Sequence, residues 1–274
     1  MPWRHRCSIG HRRHPCEMCS LPRRSNPYSR PISFKECVPP MHSAPAPEFC
    51  PNCLKPNHLC ICEAVQPIDN GVFLLILQHP QEKRENLGTA QIAHLQFANS
   101  LVKVGLSWPG LKRILGREVD PKRWGVLYLG PVKDGGAPRP EVAVVDKNGQ
   151  PLRDSAEILE DLEGVIVLDG TWSQAKTLWW RNAWLLKCRR IVLNPQFRSL
   201  YGQARKEPRR DSVSTLEAGA FLLSRLEGDQ TIMDTALKPF SLLLKKLRTR
   251  RPRPVPPPVG EAAGLDGDEA AGEE

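Results

Sequence analysis

From Gly71 onward, the sequence alternates short apolar runs with segments of helical periodicity. This alternation is typical of an α/β domain built around a largely parallel sheet. We predict strands at Val72–Gln78, Gly125–Gly130, Val142–Val145, Val165–Leu168 and Arg190–Leu193. We predict helices at Thr89–Val104, Ser155–Leu162, Trp172–Lys187, Thr215–Leu226 and Thr231–Leu247.

The two ends of the chain differ in composition from this middle part. Residues 1–49 are rich in Arg, Pro, His and Ser and have no hydrophobic periodicity, which predicts disorder. A start codon assigned too far upstream would also produce such a segment, because Met41 precedes the first cysteine of the motif described below. After Arg253 the chain is Pro-rich and then acidic, which predicts a disordered tail.

Composition limits the classes of function. With 274 residues and 40% hydrophobic content, the chain can bury one sizeable core. No apolar run approaches the roughly 20 residues of a membrane span, and the N-terminus lacks the apolar stretch of a secretory signal, so we expect a cytoplasmic protein. The formal net charge is +9, and residues 50–258 carry about +10 because the basic N-terminal part and the acidic tail nearly cancel. A basic middle part suits a polyanionic partner, although many basic proteins bind no nucleic acid.

Four of the nine cysteines lie close together in a C-x-x-C pair followed by a C-x-C pair. They are Cys50, Cys53, Cys60 and Cys62. Four thiolates within so short a segment can converge on one tetrahedral zinc ion, and a closed site of this kind is structural. The alternatives are four unconnected cysteines or a redox C-x-x-C, and the latter lacks the flanking strand and helix of a thioredoxin. A second cysteine group, at residues 7–19, could form another zinc site with His11 and His14, but the shortage of apolar residues in this segment argues against it.

Polar residues follow the strand predicted at Val165–Leu168, ahead of the helix that begins with Trp172. In open α/β sheets ligands bind at the carboxyl ends of the strands, so Asp169 occupies a position where chemistry is often done. A helix cap is the alternative interpretation, because Thr171 and Gln174 have the spacing of a capping box and Asp169 could favour the helix dipole.

The same turn carries a resemblance to a known family. Leu168-Asp169-Gly170-Thr171-Trp172, followed by Ala175 and Lys176, resembles the motif that names the DTW family. Upstream, Gln78-His79-Pro80, Glu82 and Thr89 resemble the family's H-P-x-E block and the Thr that opens its next helix. Downstream, Ser214-Thr215-Leu216-Glu217-Ala218 resembles its S-T-x-E-A block. The segment before Thr89 departs from the pattern, because family members usually carry Asn beside that Thr.

The resemblance covers about residues 50–247 and implies a fold and an activity. The implied fold is related to the SPOUT-type RNA methyltransferases, with a knotted cofactor-binding region. The implied activity transfers the 3-amino-3-carboxypropyl group of S-adenosylmethionine to N3 of a uridine in tRNA. The predicted organisation is therefore a disordered or wrongly assigned extension, a zinc knuckle, a catalytic domain and a tail, at residues 1–49, 50–66, 67–250 and 251–274.

Site residues follow from the resemblance and from the position of the motifs. The catalytic candidates are Asp169, as the base that receives the uridine proton, with Thr171 and Trp172. Expected cofactor contacts are Leu129, Gly130, Leu168, Gly170, Ser214, Thr215 and Glu217. Expected substrate contacts are His79, Glu82, Thr89, Lys176, Arg198, Arg209 and Arg210. Helical spacing favours core positions for Trp179, Trp180 and Trp184.

Each of these motifs also has a structural interpretation, and the function has rivals. Ser214 and Glu217 have the capping-box spacing, and His79 could be a packed histidine at a strand end. The rival functions are an RNA methyltransferase with the same cofactor, a noncatalytic zinc-containing RNA-binding protein, and the ribosomal-RNA branch of the same superfamily. The predicted partner is tRNA, and we expect neither a membrane nor an obligatory protein partner.

Overall fold

A computed structural model of the chain describes residues 48–127, 140–202 and 213–250. The strands in these ranges are β1 (Phe73–Gln78), β2 (Ser100–Val104), β3 (Trp124–Leu127), β4 (Val142–Val145), β5 (Gly164–Asp169) and β6 (Arg189–Leu193). The α-helices are α1 (Ala90–Gln96), α2 (Leu111–Leu115), α3 (Ser155–Glu160), α4 (Trp172–Arg181), α5 (Thr215–Leu226), α6 (Thr231–Ala236) and α7 (Lys238–Arg250). The predicted disordered ends, the second cysteine group, Leu129, Gly130, Arg209 and Arg210 lie outside the described residues.

The six strands form one sheet in the order β2-β1-β5-β3-β6-β4. All neighbouring pairs are parallel except β4 and β6, which run antiparallel at one edge. This arrangement confirms the predicted α/β class with a largely parallel sheet. Strand β5 lies between β1 and β3 and is buried at all of its residues, as its unbroken apolar run predicts.

The core has two parts, one on each face of the sheet. Leu74 and Ile76 of β1 belong to the cluster that includes α1, α5, α6, α7 and the cysteine segment. Leu75 and Leu77 point to the opposite face and belong to the cluster that includes α2 and α4. This division follows from the two-residue period of a strand, and complete burial of each such side chain contributes about 1.5–3 kcal/mol.

The predicted helix Thr89–Val104 is wrong in its second half. Helix α1 ends at Gln96, and Ser100–Val104 forms the edge strand β2, with Leu74 paired to Ser100. The Ser100 hydroxyl donates hydrogen bonds to the carbonyl oxygens of Phe97 and His94, which occupies acceptors at the helix end. The apolar residues of the short segment Leu101–Val104 fit a helix as well as a strand, and pairing with β1 makes this segment a strand.

The predicted helix Trp172–Lys187 ends early because of Asn182. This residue is 1% exposed, and its side-chain amide nitrogen donates to the carbonyl oxygens of Leu178 and Leu106. Its side-chain oxygen accepts from the backbone amide of Trp108. These bonds compete with continuation of the helix, and a short 3-10 helix, Ala183–Lys187, follows.

The predicted helix Thr231–Leu247 is two helices, because α6 ends at Ala236 and α7 begins at Lys238. Pro239 lacks the amide hydrogen that a continuous helix would need there, and it is tolerated in the first turn of a new helix. No helix in residues 48–127, 140–202 and 213–250 has both the length and the apolar character required to cross a membrane.

Candidate active site and cysteine cluster

The carboxyl ends of β1 and β5 meet at one edge of the sheet. Gln78 and Asp169, the last residues of the two strands, are direct neighbours in the register. The backbone amide of His79 donates to the carbonyl oxygen of Asp169 at 3.0 Å, which extends the pairing by one residue. Two of the sequence motifs, the His-Pro block and the Asp-Gly-Thr-Trp turn, therefore leave the sheet side by side.

The carboxylate of Asp169 is held by two other elements. The amide nitrogen Nε2 of Gln78 donates to its Oδ2 at 2.9 Å, and the Thr215 hydroxyl, in the first turn of α5, donates to its Oδ1 at 2.5 Å. Asp169 is 5% exposed. These bonds fix the orientation of the carboxylate, and they join the Ser-Thr-x-Glu-Ala block to the other two motifs. Gln78 belongs to the His-Pro motif, but it was not among the site residues predicted from the sequence.

The Asp-Gly-Thr-Trp turn also caps α4. Thr171 and Gln174 form a reciprocal capping box, as the spacing predicts: each side chain accepts a hydrogen bond from the other residue's backbone amide. Gly170 has φ +156°, and a Cβ there would lie 2.8 Å from the Cβ of Gln174. A side chain at this position would therefore displace the cap. Leu168, the residue before the turn, is buried against the α4 side of the sheet.

The second capping box, at Ser214 and Glu217, carries additional bonds. The Glu217 side chain is fully buried and accepts hydrogen bonds from the backbone amides of Ser214 and Leu200 and from the Ser199 hydroxyl. The carboxylate therefore ties the segment after β6 to the start of α5. The exposed Arg198 lies in that segment, directly before Ser199.

A buried lysine connects this site to the cysteine segment. Lys55 is 4% exposed, and its ammonium group donates to the carbonyl oxygens of Glu85 and Gly88, at 2.9 and 2.7 Å. Burial lowers the pKa of Lys55 to about 8, against the opposing effects of Cys53, Asp169, Glu85 and Glu82. No signal in the sequence distinguishes this lysine from the exposed lysines that such a loop normally carries.

The loop fastened by Lys55 leads directly into α1. Thr89 is 1% exposed, and its hydroxyl oxygen accepts a hydrogen bond from the backbone amide of Leu216 in α5. The Tyr201 hydroxyl donates to the carbonyl oxygen of Leu87, which gives the loop a second attachment. The loop residues before Thr89 are thus held by the cysteine segment, by α5 and by the segment after β6.

An open cleft of about 550 Å³ adjoins the Asp-Gly-Thr-Trp turn. Its lining includes Glu82 and Glu85 from the His-Pro side and Thr171 and Gln174 from α4. Glu82 is 5% exposed, and the half-buried His79 accepts a hydrogen bond from the backbone amide of Gln81. The cleft has the volume typical of small-molecule sites and lies between the predicted substrate and catalytic residues.

The outer face of α4 presents aromatic and basic side chains. Trp172 is 36% exposed, and the Lys176 ammonium group lies 5.6 Å from the centre of its ring. Trp179 and Trp184 pack partly against the core, as predicted. The predicted core position of Trp180 is wrong, because this residue is 78% exposed. The α4 inner face is already filled by Ala175 and Leu178, so Trp180 falls on the opposite side of the helix.

The four cysteines of the N-terminal motif form a compact cluster. Their sulfur atoms all lie within 4.8 Å of one another, with Cys50 and Cys62 at 3.7 Å and Cys53 and Cys60 at 3.8 Å. Tetrahedral coordination with Zn–S bonds of about 2.3 Å places sulfur atoms about 3.8 Å apart. The cluster could therefore hold a metal ion, and the donor set fits zinc.

The pKa values of two thiols in the cluster are shifted in opposite directions. A hydrogen bond from the backbone amide of Cys53 lowers the pKa of Cys50 to about 6, whereas burial and hydrogen bonding to Cys50 raise the pKa of Cys62. Helix α7 packs on the same segment, where the Lys246 ammonium group donates to the carbonyl oxygen of Cys60 at 2.6 Å. The cluster is thus part of the folded domain.

The family model described as DTW domain matches residues 47–248 of this chain. The chain is 29% identical over 214 residues to the tRNA-uridine aminocarboxypropyltransferase 2 of Macaca fascicularis and 30% identical over 210 residues to that of Mus musculus. These matches cover 74% and 75% of this chain, but only 65% of each relative's length.

A relative of the same name from Drosophila melanogaster is 29% identical over 202 residues, which are 72% of this chain and 73% of that protein. No solved structure matches the chain significantly. The family model spans the cysteine cluster and all three motifs, and the three motifs meet at the edge of the sheet. The chain belongs to the DTW domain family.

Proposed function

We propose that this protein transfers the 3-amino-3-carboxypropyl group of S-adenosylmethionine to N3 of a uridine in tRNA. The observation that carries the proposal is the pair of hydrogen bonds from Gln78 and Thr215 to Asp169, which joins three family motifs beside one cleft. The activity named for the relatives supplies the reaction class. Because the match covers only 65% of each mammalian relative, the reaction is a proposal for this chain.

The reaction exchanges one bond for another at the donor's side chain. A bond forms between uridine N3 and the carbon next to the sulfonium, the bond between that carbon and sulfur breaks, and methylthioadenosine leaves with the electron pair. The N3 proton must be accepted by a base. Selecting this carbon over the methyl group is a matter of orientation, so the side chains around the cleft must hold both reactants in one geometry.

Asp169 is our candidate for the base. Each carboxylate oxygen has two lone pairs, so the bonds from Gln78 and Thr215 leave acceptor capacity for the proton. A base oriented by neighbouring donors is a common arrangement in active sites. In this proposal Thr171 and Trp172 hold the uridine at the start of α4.

The donor would occupy the cleft beside the amino ends of α4 and α5. The partial positive charge at a helix start suits its carboxylate. We assign its other contacts to Leu168, Gly170, Ser214 and Thr215, with Leu129 and Gly130 as further contacts outside the described residues. Glu217, predicted as a contact, is fully buried and would support the site by holding Ser214 and the segment after β6. His79, Lys176 and Arg198 would face the RNA, together with Arg209 and Arg210. Glu82 and Thr89, predicted as substrate contacts, are 5% and 1% exposed, so they would instead hold the loop beside the cleft. The knotted path of the SPOUT-type fold stays a prediction, because residues 128–139 and 203–212 are not described.

We also propose that the cysteine cluster holds one structural zinc ion. All four ligands come from the protein, so the site has no open position for substrate, and its contribution is to folding. Lys55 lies between two of the ligands in the sequence, and its hydrogen bonds to Glu85 and Gly88 fix the loop before Thr89 to the cysteine segment.

The decisive experiment incubates the purified full-length chain with tRNA and S-adenosylmethionine and analyses the nucleosides by mass spectrometry. We expect 3-(3-amino-3-carboxypropyl)uridine together with an equal amount of methylthioadenosine. Methyluridine with S-adenosylhomocysteine would identify a methyltransferase instead. Binding of tRNA without affinity for S-adenosylmethionine would identify a noncatalytic RNA-binding protein. Product on ribosomal RNA but not on tRNA would move the chain to the other branch of the superfamily.

A further inference from the structure

The outer face of α4 carries three side chains in a row at intervals of four residues. They are Trp172, Lys176 and Trp180, which we call the α4 stripe. Residues four apart lie on the same side of a helix, and at 1.5 Å per residue the stripe is about 12 Å long. It begins at the Asp-Gly-Thr-Trp turn and leads away from it.

Packing within the described residues does not account for Trp180. The helix already buries Ala175 and Leu178, and Trp179 covers the margin of the core. Trp180, with 78% of its surface exposed, contributes little to the core and exposes a large apolar ring to solvent. Leu186, in the short 3-10 helix that follows α4, is also exposed, at 56%. Exposed apolar surface of this size often marks an interaction site, although single exposed apolar side chains are common.

The segment of chain that carries the stripe has charges of one sign. From Gly170 to Lys206 the sequence contains no Asp or Glu, but it contains eight Lys or Arg residues. The described members include Lys176 within the stripe, and Arg181 and Lys187, which are exposed in the segment that follows it. A segment that combines exposed indole rings with cations and contains no carboxylate is complementary to a polyanion with flat, apolar bases. The carboxylates of Glu82 and Glu85 belong to the cleft at the start of α4 and not to this segment.

We propose that the α4 stripe binds unpaired nucleotides of the RNA substrate next to the modified uridine, with a base stacked on Trp180 and phosphates on the lysine and arginine side chains, while Trp172 holds the uridine itself. The proposal rests on the proposed function for the identity of the RNA, but it assigns a surface and a mode of recognition of its own. RNA loops and single strands are recognised in this way, because their bases can be splayed onto aromatic side chains.

The length of the stripe agrees with this assignment. Stacked bases rise about 3.4 Å per nucleotide, so 12 Å corresponds to roughly three or four nucleotides. One end of such a segment would reach the turn that carries Asp169, where the target base must be presented. A duplex offers no free base faces to the indoles and would contact only the cations.

The test compares Trp180→Ala and Trp180→Phe with the wild-type chain in binding to a short oligouridylate and to duplex RNA of the same length. Base stacking on one aromatic side chain typically contributes about 1–3 kcal/mol. We therefore expect Trp180→Ala to weaken oligouridylate binding about tenfold while duplex binding changes less than about twofold. Trp180→Phe, which keeps a ring, should retain most of the affinity. Lys176→Gln should weaken the binding of both RNAs, because both present phosphates to the cation. Lys147→Gln, which removes an exposed cation in the turn after β4, is its charge-matched control and should weaken binding less.

Several outcomes would overturn the proposal. Unchanged oligouridylate binding by Trp180→Ala would do so, and so would an equal loss on duplex RNA. A change of oligomeric state in light scattering, with RNA binding intact, would make the stripe a contact between copies of the chain. Failure of the proposed function can be told apart from failure of this proposal. If the wild-type chain binds oligouridylate through the stripe but forms no modified uridine, the binding surface is supported and the proposed reaction is refuted.

Discussion

The ammonium group of Lys55 donates a hydrogen bond to the carbonyl oxygen of Gly88, 33 residues away in sequence, at 2.7 Å. The relationship joins the cysteine segment to the loop that precedes Thr89, and Thr89 in turn accepts a hydrogen bond from the first turn of α5. The next residue back along α5, Thr215, holds Asp169. A continuous set of short contacts therefore connects the cysteine cluster to the candidate base.

Lys55→Met tests whether this connection supports the site. The variant keeps most of the buried volume but leaves the carbonyl oxygens of Glu85 and Gly88 without their donor, at a cost of about 1–3 kcal/mol for each group that stays buried and unsatisfied. We expect a lower free energy of unfolding, weaker binding of S-adenosylmethionine in calorimetry, and an unchanged metal content. Lys122→Met, at an exposed position, is the matched control. Donor binding as tight as in wild type would show that the loop keeps its position without Lys55.

Cys53→Ser tests the metal centre. Removal of one of four thiolate ligands should reduce bound zinc from about one ion per chain to nearly none, because the remaining three ligands do not close the site. Stability should fall together with metal content, since metal binding and folding are coupled. Metal analysis by mass spectrometry and denaturant titration measure the two quantities. Cys188→Ala, which alters a buried cysteine outside the cluster, should keep the ion. Zinc-free wild-type protein of normal stability would contradict the prediction.

Cys188 itself predicts an alkaline dependence of stability. Burial raises its pKa from 9.0 to about 12, so between these values the native state keeps a proton that the unfolded state has released. Stability is therefore lost as the pH rises above 9, and between pH 8 and pH 10 this group should lower the free energy of unfolding by about 1.4 kcal/mol. Urea titrations at both pH values should show this extra decrease in the wild-type chain but not in Cys188→Ala. Equal decreases in both chains would refute the assignment.

The sequence predicts the elements around the site better than those at the edges of the sheet. The buried run of β5 and the capping boxes at Thr171 and Ser214 are local signals, and the structure has all three. Strand β2 is missed because its state depends on pairing with β1, a contact between distant segments. The early end of α4 depends on bonds between Asn182 and the backbone at Leu106 and Trp108, which are equally nonlocal.

The same distinction applies to the side chains of the site. Asp169, Thr215 and Glu217 were found by their motifs, and the structure brings the motifs together. The sequence could not show that Gln78 bonds to Asp169, because this requires the register of β1 and β5. Lys55 was missed because its burial depends on a loop 30 residues downstream, and the exposure of Trp180 depends on which side of α4 meets the sheet.

Asp169→Asn examines the proposed base with little disturbance of the fold. The new amide oxygen can accept from Gln78, and the new amide group can donate to the Thr215 hydroxyl oxygen, which is able to accept as well as donate. We therefore expect the free energy of unfolding to change by no more than about 1 kcal/mol. Loss of the basic carboxylate should reduce turnover on tRNA about 100-fold or more.

Two further variants separate catalysis from orientation in the same assay. Thr215→Val removes one donor to Asp169 but leaves the carboxylate, so a base that is only less well oriented should lose roughly tenfold, less than in Asp169→Asn. Asp234→Asn, at an exposed position on α6, controls for the loss of one negative charge and should turn over normally. The affinity for S-adenosylmethionine decides the role of Asp169. If binding of S-adenosylmethionine is unchanged, the lost turnover is due to proton transfer. If binding is weakened, the loss is due to poorer orientation of S-adenosylmethionine. An Asp169→Asn chain that retains more than about half of the normal rate cannot have lost its general base, and the proton would then have to leave N3 by another route.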